Sequence, residues 1–102
     1  MSASVQVLYP ATDGTHFDHD YYVNTHLKMV NEIWGPHLHT SLVIKGLAGG
    51  PDTPPGFHAI ATLVFKDGDA MKEAMGKAAP LLDDIPKFTN TTPQMLVGEV
   101  IG

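Results

Sequence analysis

The stretch Phe57–Phe65, FHAIATLVF, decides the fold. It is rich in β-branched and aromatic residues and bounded by Gly56 and by the turn residues Lys66-Asp67-Gly68, so it reads as a strand. Its two faces are both apolar. Phe57, Ala59, Ala61, Leu63 and Phe65 lie on one, and Ile60, Thr62 and Val64 on the other. A half-buried strand normally alternates apolar with polar, so this one needs cover on both sides.

The rest of the chain says what can cover it. Val5 to Tyr9 alternates and is rich in β-formers, and Pro10 ends it, giving a first strand. ATDGTHF is a loop, with Asp13-Gly14 as turn chemistry. Asp18 is placed as an N-cap and Asp20 as a first-turn acid, and Gly35-Pro36 is a stop signal, so a helix is expected from His19 to Trp34. On it, Tyr22, His26, Met29, Val30 and Ile33 recur at i, i+4, i+7, i+8 and i+11, which is one helical face. Lys28 and Glu32 sit outside, at ion-pair spacing. His39 to Leu47 reads as a second strand, and Ala48–Gly56 as a Gly/Pro loop. A second helix is expected from Asp69 to Ala78. Pro80 interrupts it, Leu81 to Ile85 forms one more turn, and Asp83-Asp84 reads as a solvated turn. Thr91 to Ile101 gives a last strand.

The order is β-α-β-β-α-β, an α+β class chain of ferredoxin-like type with an antiparallel sheet and both helices on one face. Two helices cover one face of the Phe57–Phe65 strand. The other face needs a second cover that this chain does not supply, so a homodimer with sheets packed face to face is expected. Apolar area left wet costs about 25 cal/mol per Å².

Composition narrows the function. With 102 residues, one domain over residues 1–102 is expected. The formal net charge is −5 with only six Lys plus Arg, which gives no electrostatic footprint for nucleic acid or an anionic membrane surface. The chain has no cysteine, which excludes disulfides, thiolate metal sites and cysteine nucleophiles. It has no apolar run long enough to span a bilayer and no signal-peptide pattern, so a cytoplasmic protein is expected.

Four segments together resemble the EthD family of the dimeric α+β barrel superfamily: VLYP, FDHDYYVNTHLKMV, FHAIATLVF and FTNTTPQMLVGEVI. The most specific part is the helix with Asp18, Tyr21, Tyr22 and His26. The resemblance implies the ferredoxin-like monomer and the sheet-to-sheet dimer. The family takes its name from a protein linked to degradation of ethyl tert-butyl ether. Its superfamily neighbours include cofactor-free isomerases, polyketide cyclases or dehydratases, small monooxygenases and haem-binding proteins, which commonly use the cleft between the first helix and the sheet. Fold alone does not choose among these.

The candidate site centres on His26. On its helix face the imidazole points to the sheet, where each buried ring nitrogen needs a partner. The residues alone fit a satisfied core histidine or a general acid/base, and the motif position favours the second. Tyr22, one turn earlier, is expected to orient His26 or hold a substrate oxygen. Tyr9, Trp34, Phe65 and Met29 are expected as walls of a substrate cleft. His37 and His39, two apart, would share a strand face but lack a third ligand. No HExxH, phosphate loop or nucleophile elbow is present. The sequence requires no metal or organic cofactor. The leading reading is a cofactor-free enzyme that moves a proton next to a carbonyl of a hydrophobic, oxygenated small molecule. A non-catalytic binding protein, a haem-associated protein with His26 as ligand, and a structural dimer are the alternatives.

Overall fold

The computed structural model describes residues 2–102. Four strands, β1 (Ala3–Pro10), β2 (Leu38–Lys45), β3 (Phe57–Phe65) and β4 (Gln94–Glu99), form one antiparallel sheet in the order β2-β3-β1-β4. With three helical stretches on one face, this is the ferredoxin-like α+β arrangement. The strand that decided the fold is central and runs over the expected residues. β2 begins and ends earlier than expected, at Leu38 and Lys45; β4 ends earlier, at Glu99, and starts later, at Gln94, because Pro93 has no N–H to donate to a ladder.

The first helix, α1, covers residues 19–34 in three continuous pieces. An α turn, His19–Tyr21, is capped by Asp18, whose carboxylate accepts from the Tyr21 N–H at 3.0 Å. A π turn, Tyr22–His26, follows, and Leu27–Trp34 is regular α-helix. In the π turn the Leu27 N–H donates to the Tyr22 carbonyl, five residues back. Val23, Asn24 and Thr25 are weak helix formers, so the wider turn costs less there. The extra residue slows the rotation of the face. Tyr22, His26, Val30 and Trp34, every fourth residue, turn inward over one cavity together with Leu27, while Met29 moves to the side.

The second helix, α2 (Gly68–Met75), starts one residue before the expected Asp69, because Asp67 caps the Ala70 N–H at 2.7 Å, and it ends at Met75, short of the expected Ala78. Pro80 sits in the first turn of α3 (Ala79–Asp84), where its missing N–H costs nothing, so it starts a helix rather than interrupting one. A 3-10 turn, Ile85–Lys87, extends α3.

Two buried clusters lie between helices and sheet. One joins Val5, Leu63 and Phe65 to Trp34, Ala74 and Leu81; the other joins Tyr9 and Ala59 to Tyr22 and Phe88. Each large side chain so buried contributes roughly 1.5–3 kcal/mol. The Trp34 indole N–H donates to the Ala74 carbonyl at 2.8 Å and ties α1 to α2. The other sheet face carries Leu8, Leu42, Ile44, Ile60, Val64 and Leu96, with Ser, Thr, Gln and Gly between them and no charge. Leu42, Ile44 and Leu96 are exposed on it.

Candidate functional site

The loop before α1 is laced to the segment after α3. The Asp18 N–H donates to the Phe88 carbonyl at 2.7 Å, and the Thr89 hydroxyl donates to the His16 carbonyl at 2.6 Å. Asn90 accepts from the His16 N–H at 2.9 Å and donates to the Gly14 carbonyl at 3.1 Å, while the Thr91 hydroxyl donates to the Pro10 carbonyl at 2.7 Å. These bonds link residues 70 or more apart in sequence. They set the end of α3 against the first turns of α1.

That contact brings Asp84 to His26. The imidazole Nδ1 lies 2.9 Å from Asp84 Oδ2, and both residues are only 4% exposed. The Tyr21 hydroxyl donates to Asp84 Oδ1 at 2.8 Å, and the Lys87 ammonium is 3.8 Å from the same oxygen. Burial alone pushes the Asp84 carboxyl up, but the His26 and Tyr21 hydrogen bonds and the nearby Lys87 ammonium outweigh it and hold it below its ordinary value. Asp84 is therefore ionised near neutral pH and can only accept. Nδ1 must carry the hydrogen, which leaves Nε2 as the bare, basic nitrogen. Burial draws the His26 pKa below 6.5, against the pull of Asp84, so the ring is neutral at pH 7.

Nε2 has no hydrogen-bond partner among the described residues, and none of their buried side-chain nitrogens or oxygens is left unpaired. Nε2 is therefore not sealed in. His26 lines a cavity of about 90 Å³ between α1, α3 and the sheet. Val7, Ala61 and Leu63 form its floor, Val30 and Trp34 one wall, and Leu81 and Ile85 another. Tyr9 and Tyr22 bring its remaining polar groups. The Tyr22 ring stacks on the imidazole with centroids 5.6 Å apart, and Phe88 packs against it at 4.7 Å. Burial pushes the Tyr22 hydroxyl up to about 12, opposed by a hydrogen bond from Tyr9. Tyr9 is raised further, by burial first and then by Tyr22. Both stay protonated. The Tyr22 O–H is free to donate to a ligand oxygen, and the Tyr9 O–H can do so by turning from Tyr22.

Of the expected site residues, Tyr9, Tyr22, His26 and Trp34 surround this cavity. Phe65 and Met29 do not line it. Phe65 is fully buried against Trp34, with ring centroids 5.5 Å apart, and Met29 packs on the core cluster after the π turn rotates it aside. Asp84 is the main correction. It was expected on a solvated turn, but α3 carries Leu81, Asp84, Ile85 and Phe88 on one inward face, at i, i+3, i+4 and i+7. That spacing, with a carboxylate among apolar residues, was the available signal. Tyr21 holds Asp84 from the far side. His37 lies in a 3-10 turn, 3.7 Å from Glu73, and His39 falls at a β2 irregularity, so the two do not share a strand face. Among the described residues no three His, Asp or Glu side chains are grouped as a metal ion needs.

The EthD domain profile matches residues 14–92, a span that holds both His26 and Asp84. The chain belongs to the EthD family. An EthD-like protein from Ralstonia eutropha JMP134 is 34% identical, with 99% of this chain and 93% of that one covered and a TM-score of 0.88. Two more distant structures share the EthD chain's fold. A dimeric ferredoxin-like protein from Thermobifida fusca YX is 10% identical, covers 98% of this chain and 92% of its own, and has a TM-score of 0.64. SnoaB, a cofactor-independent oxygenase from Streptomyces nogalater, is 9% identical, covers 98% and 94%, and has a TM-score of 0.59. Comparison of this EthD protein with curated proteins gives no match. No helix among the described residues is long and apolar enough to cross a membrane.

Proposed function

We propose that this EthD protein is a cofactor-independent catalyst of proton transfer, of isomerase, cyclase or dehydratase type, acting on an apolar, oxygenated small molecule in the cavity beside α1. The observation that carries this reading is the buried His26–Asp84 hydrogen bond, which leaves a neutral, basic Nε2 at the wall of an apolar cavity. Nε2 takes a proton from a carbon next to a carbonyl. The C–H electron pair passes into the carbonyl and gives an enolate, whose oxygen accepts hydrogen bonds from Tyr22 or Tyr9. The imidazolium, paired with Asp84, then returns the proton to another carbon, or to a β-hydroxyl that leaves as water. The dry walls strengthen each of these polar contacts. SnoaB supports the reading to the extent that the fold hosts cofactor-independent chemistry there.

The working form is a cytoplasmic homodimer joined through the uncharged outer sheet face. Its exposed Leu42, Ile44 and Leu96 support this, as does the dimeric Thermobifida fusca protein of the same fold.

Deuterium exchange at the α-carbons of 2-octanone in D₂O, followed by proton NMR, tests the chemistry without a known substrate. The wild type is expected to speed exchange by on the order of 10²-fold or more over buffer, and His26→Ala to remove that gain. An exchange rate equal to that in buffer, or equal in both proteins, would overturn the proposal.

A further inference from the structure

The His26 cavity is almost wholly apolar. Apart from Trp34, whose N–H bonds the Ala74 carbonyl, the only residues with polar side chains among those that line it are His26, Tyr9 and Tyr22, and no lysine, aspartate or glutamate lines it. The nearest charge is the Asp84 carboxylate behind the ring, 2.9 Å from Nδ1. Its counter-charge, Lys87, sits 3.8 Å away on the opposite carboxylate oxygen, and its side chain is 67% exposed. An anion entering the cavity would trade its water shell for apolar walls and meet a carboxylate with no cation in reach. A neutral carbonyl meets none of that cost. It is an acceptor only, which matches the two protonated tyrosines, and it places an acidic C–H beside Nε2.

The cavity's size and rim add a second constraint. About 90 Å³ is less than the ~150 Å³ of a cavity known to take a benzene ring. It can seat a head group and little more. The lining continues outward, however. Leu82 and Met95 line the cavity yet are 52% and 45% exposed, and Val97, next along β4 on the same side of the sheet, is 57% exposed. Such a run of large apolar side chains left in water marks a contact surface when it adjoins a pocket.

We infer that the ligand is an uncharged ketone- or ester-type compound with an apolar tail, its carbonyl end seated against His26, Tyr22 and Tyr9 and its tail lying along Leu82, Met95 and Val97. This rests on the cavity's being the binding site proposed above and adds the charge class and the orientation. A second copy of the chain is the competing occupant of the strip, and the continuity of Leu82 and Met95 with the cavity lining favours the ligand.

NMR titration of the full-length protein with 2-butanone, 2-hexanone, 2-octanone and 2-decanone, and with octanoate at pH 8, tests it. The His26 ring and the Met95 methyl report on the two ends. Both are expected to shift, with Kd falling about two- to fourfold per added methylene, up to the ~4-fold that full burial gives. Octanoate is expected to bind at least about tenfold more weakly than 2-octanone, since its charge must be desolvated. Val97→Ser, at an exposed position, is expected to cut the gain from 2-hexanone to 2-decanone, with 2-butanone, too short to reach it, as the reference. Equal binding of octanoate and 2-octanone would overturn the charge class. A flat chain-length series, a gain untouched by Val97→Ser, or strip resonances that move with protein concentration instead of ketone would overturn the tail's placement. If ketones shift His26 but the series is flat, the site stands and this inference fails. If no ketone shifts His26, both fail.

Discussion

Replacing Asp84 by asparagine keeps the shape of the side chain and removes its charge. In the native protein one carboxylate accepts two hydrogen bonds at once, from Nδ1–H of His26 at 2.9 Å and from the Tyr21 hydroxyl at 2.8 Å. An amide has one acceptor and one donor end. If its oxygen keeps Tyr21, its NH₂ faces Nδ1, which must then give up its hydrogen. The imidazole changes tautomer, and Nε2 presents N–H to the cavity in place of a lone pair. Two charge-assisted bonds become neutral ones, with a stability cost of about 1–3 kcal/mol. For a chain of this size each kcal/mol lowers Tm by roughly 4–8 °C. The catalytic cost is larger, because the base itself is lost: exchange of ketone α-protons is expected to fall by about 10²–10⁴-fold. Differential scanning calorimetry and the deuterium assay read the two effects, and ¹⁵N NMR of His26 reads the tautomer. An Asp84→Asn protein that melts as the wild type, keeps Nε2 unprotonated and exchanges protons at the wild-type rate would refute the reasoning.

Acid should destabilise the protein in two stages. The His26 pKa is depressed below 6.5 by burial, so the unfolded chain binds the proton first. Stability is full above about 6.5 and is lost as pH falls from there toward the folded value. Asp84 is also depressed, below 3.8, so a second loss follows as pH falls below that value. Urea titrations across pH check this, and His26→Gln should flatten the first stage only. Phe88→Ala removes a fully buried ring that touches Tyr9, Phe17, Tyr21, Tyr22 and His26, and should cost about 3–5 kcal/mol by chemical denaturation. Tyr21→Phe removes one of the donors that share the Asp84 charge. The carboxylate then favours imidazolium more strongly, so the NMR-measured pKa of His26 should rise. Leu42→Lys puts a charge on the outer sheet face, and sedimentation should show the dimer dissociating with the fold intact.

Much of the fold was legible because its signals are local. Phe57–Phe65 declared two buried faces by being apolar at both its odd and its even positions, and the Asp18 cap and the Gly35-Pro36 stop bracketed α1. The site was half legible. Tyr22 and His26 are one turn apart and share a face in any helix, but the π turn is a small local balance that periodicity does not show, and it leaves Trp34 at the cavity while Met29 packs beside it. Asp84 was missed for a different reason. Its partner is 58 residues away, and their meeting depends on the bonds from Asp18, His16 and Gly14 to Phe88, Thr89 and Asn90. Yet its own segment breaks two local rules. A carboxylate sits on an apolar helix face, and it sits at the end of a helix, where the dipole opposes it. Such conflicts between local preference and fold gather at functional positions.

The most direct test of the account is the ¹⁵N spectrum of the His26 imidazole at pH 7, recorded without and with 2-octanone. A neutral ring with hydrogen on Nδ1, and an Nε2 resonance that moves as the ketone is added, is the predicted result. A ring with hydrogen on Nε2, or an Nε2 resonance indifferent to the ketone, would contradict it, because His26 would then be a packed core residue with no base to offer.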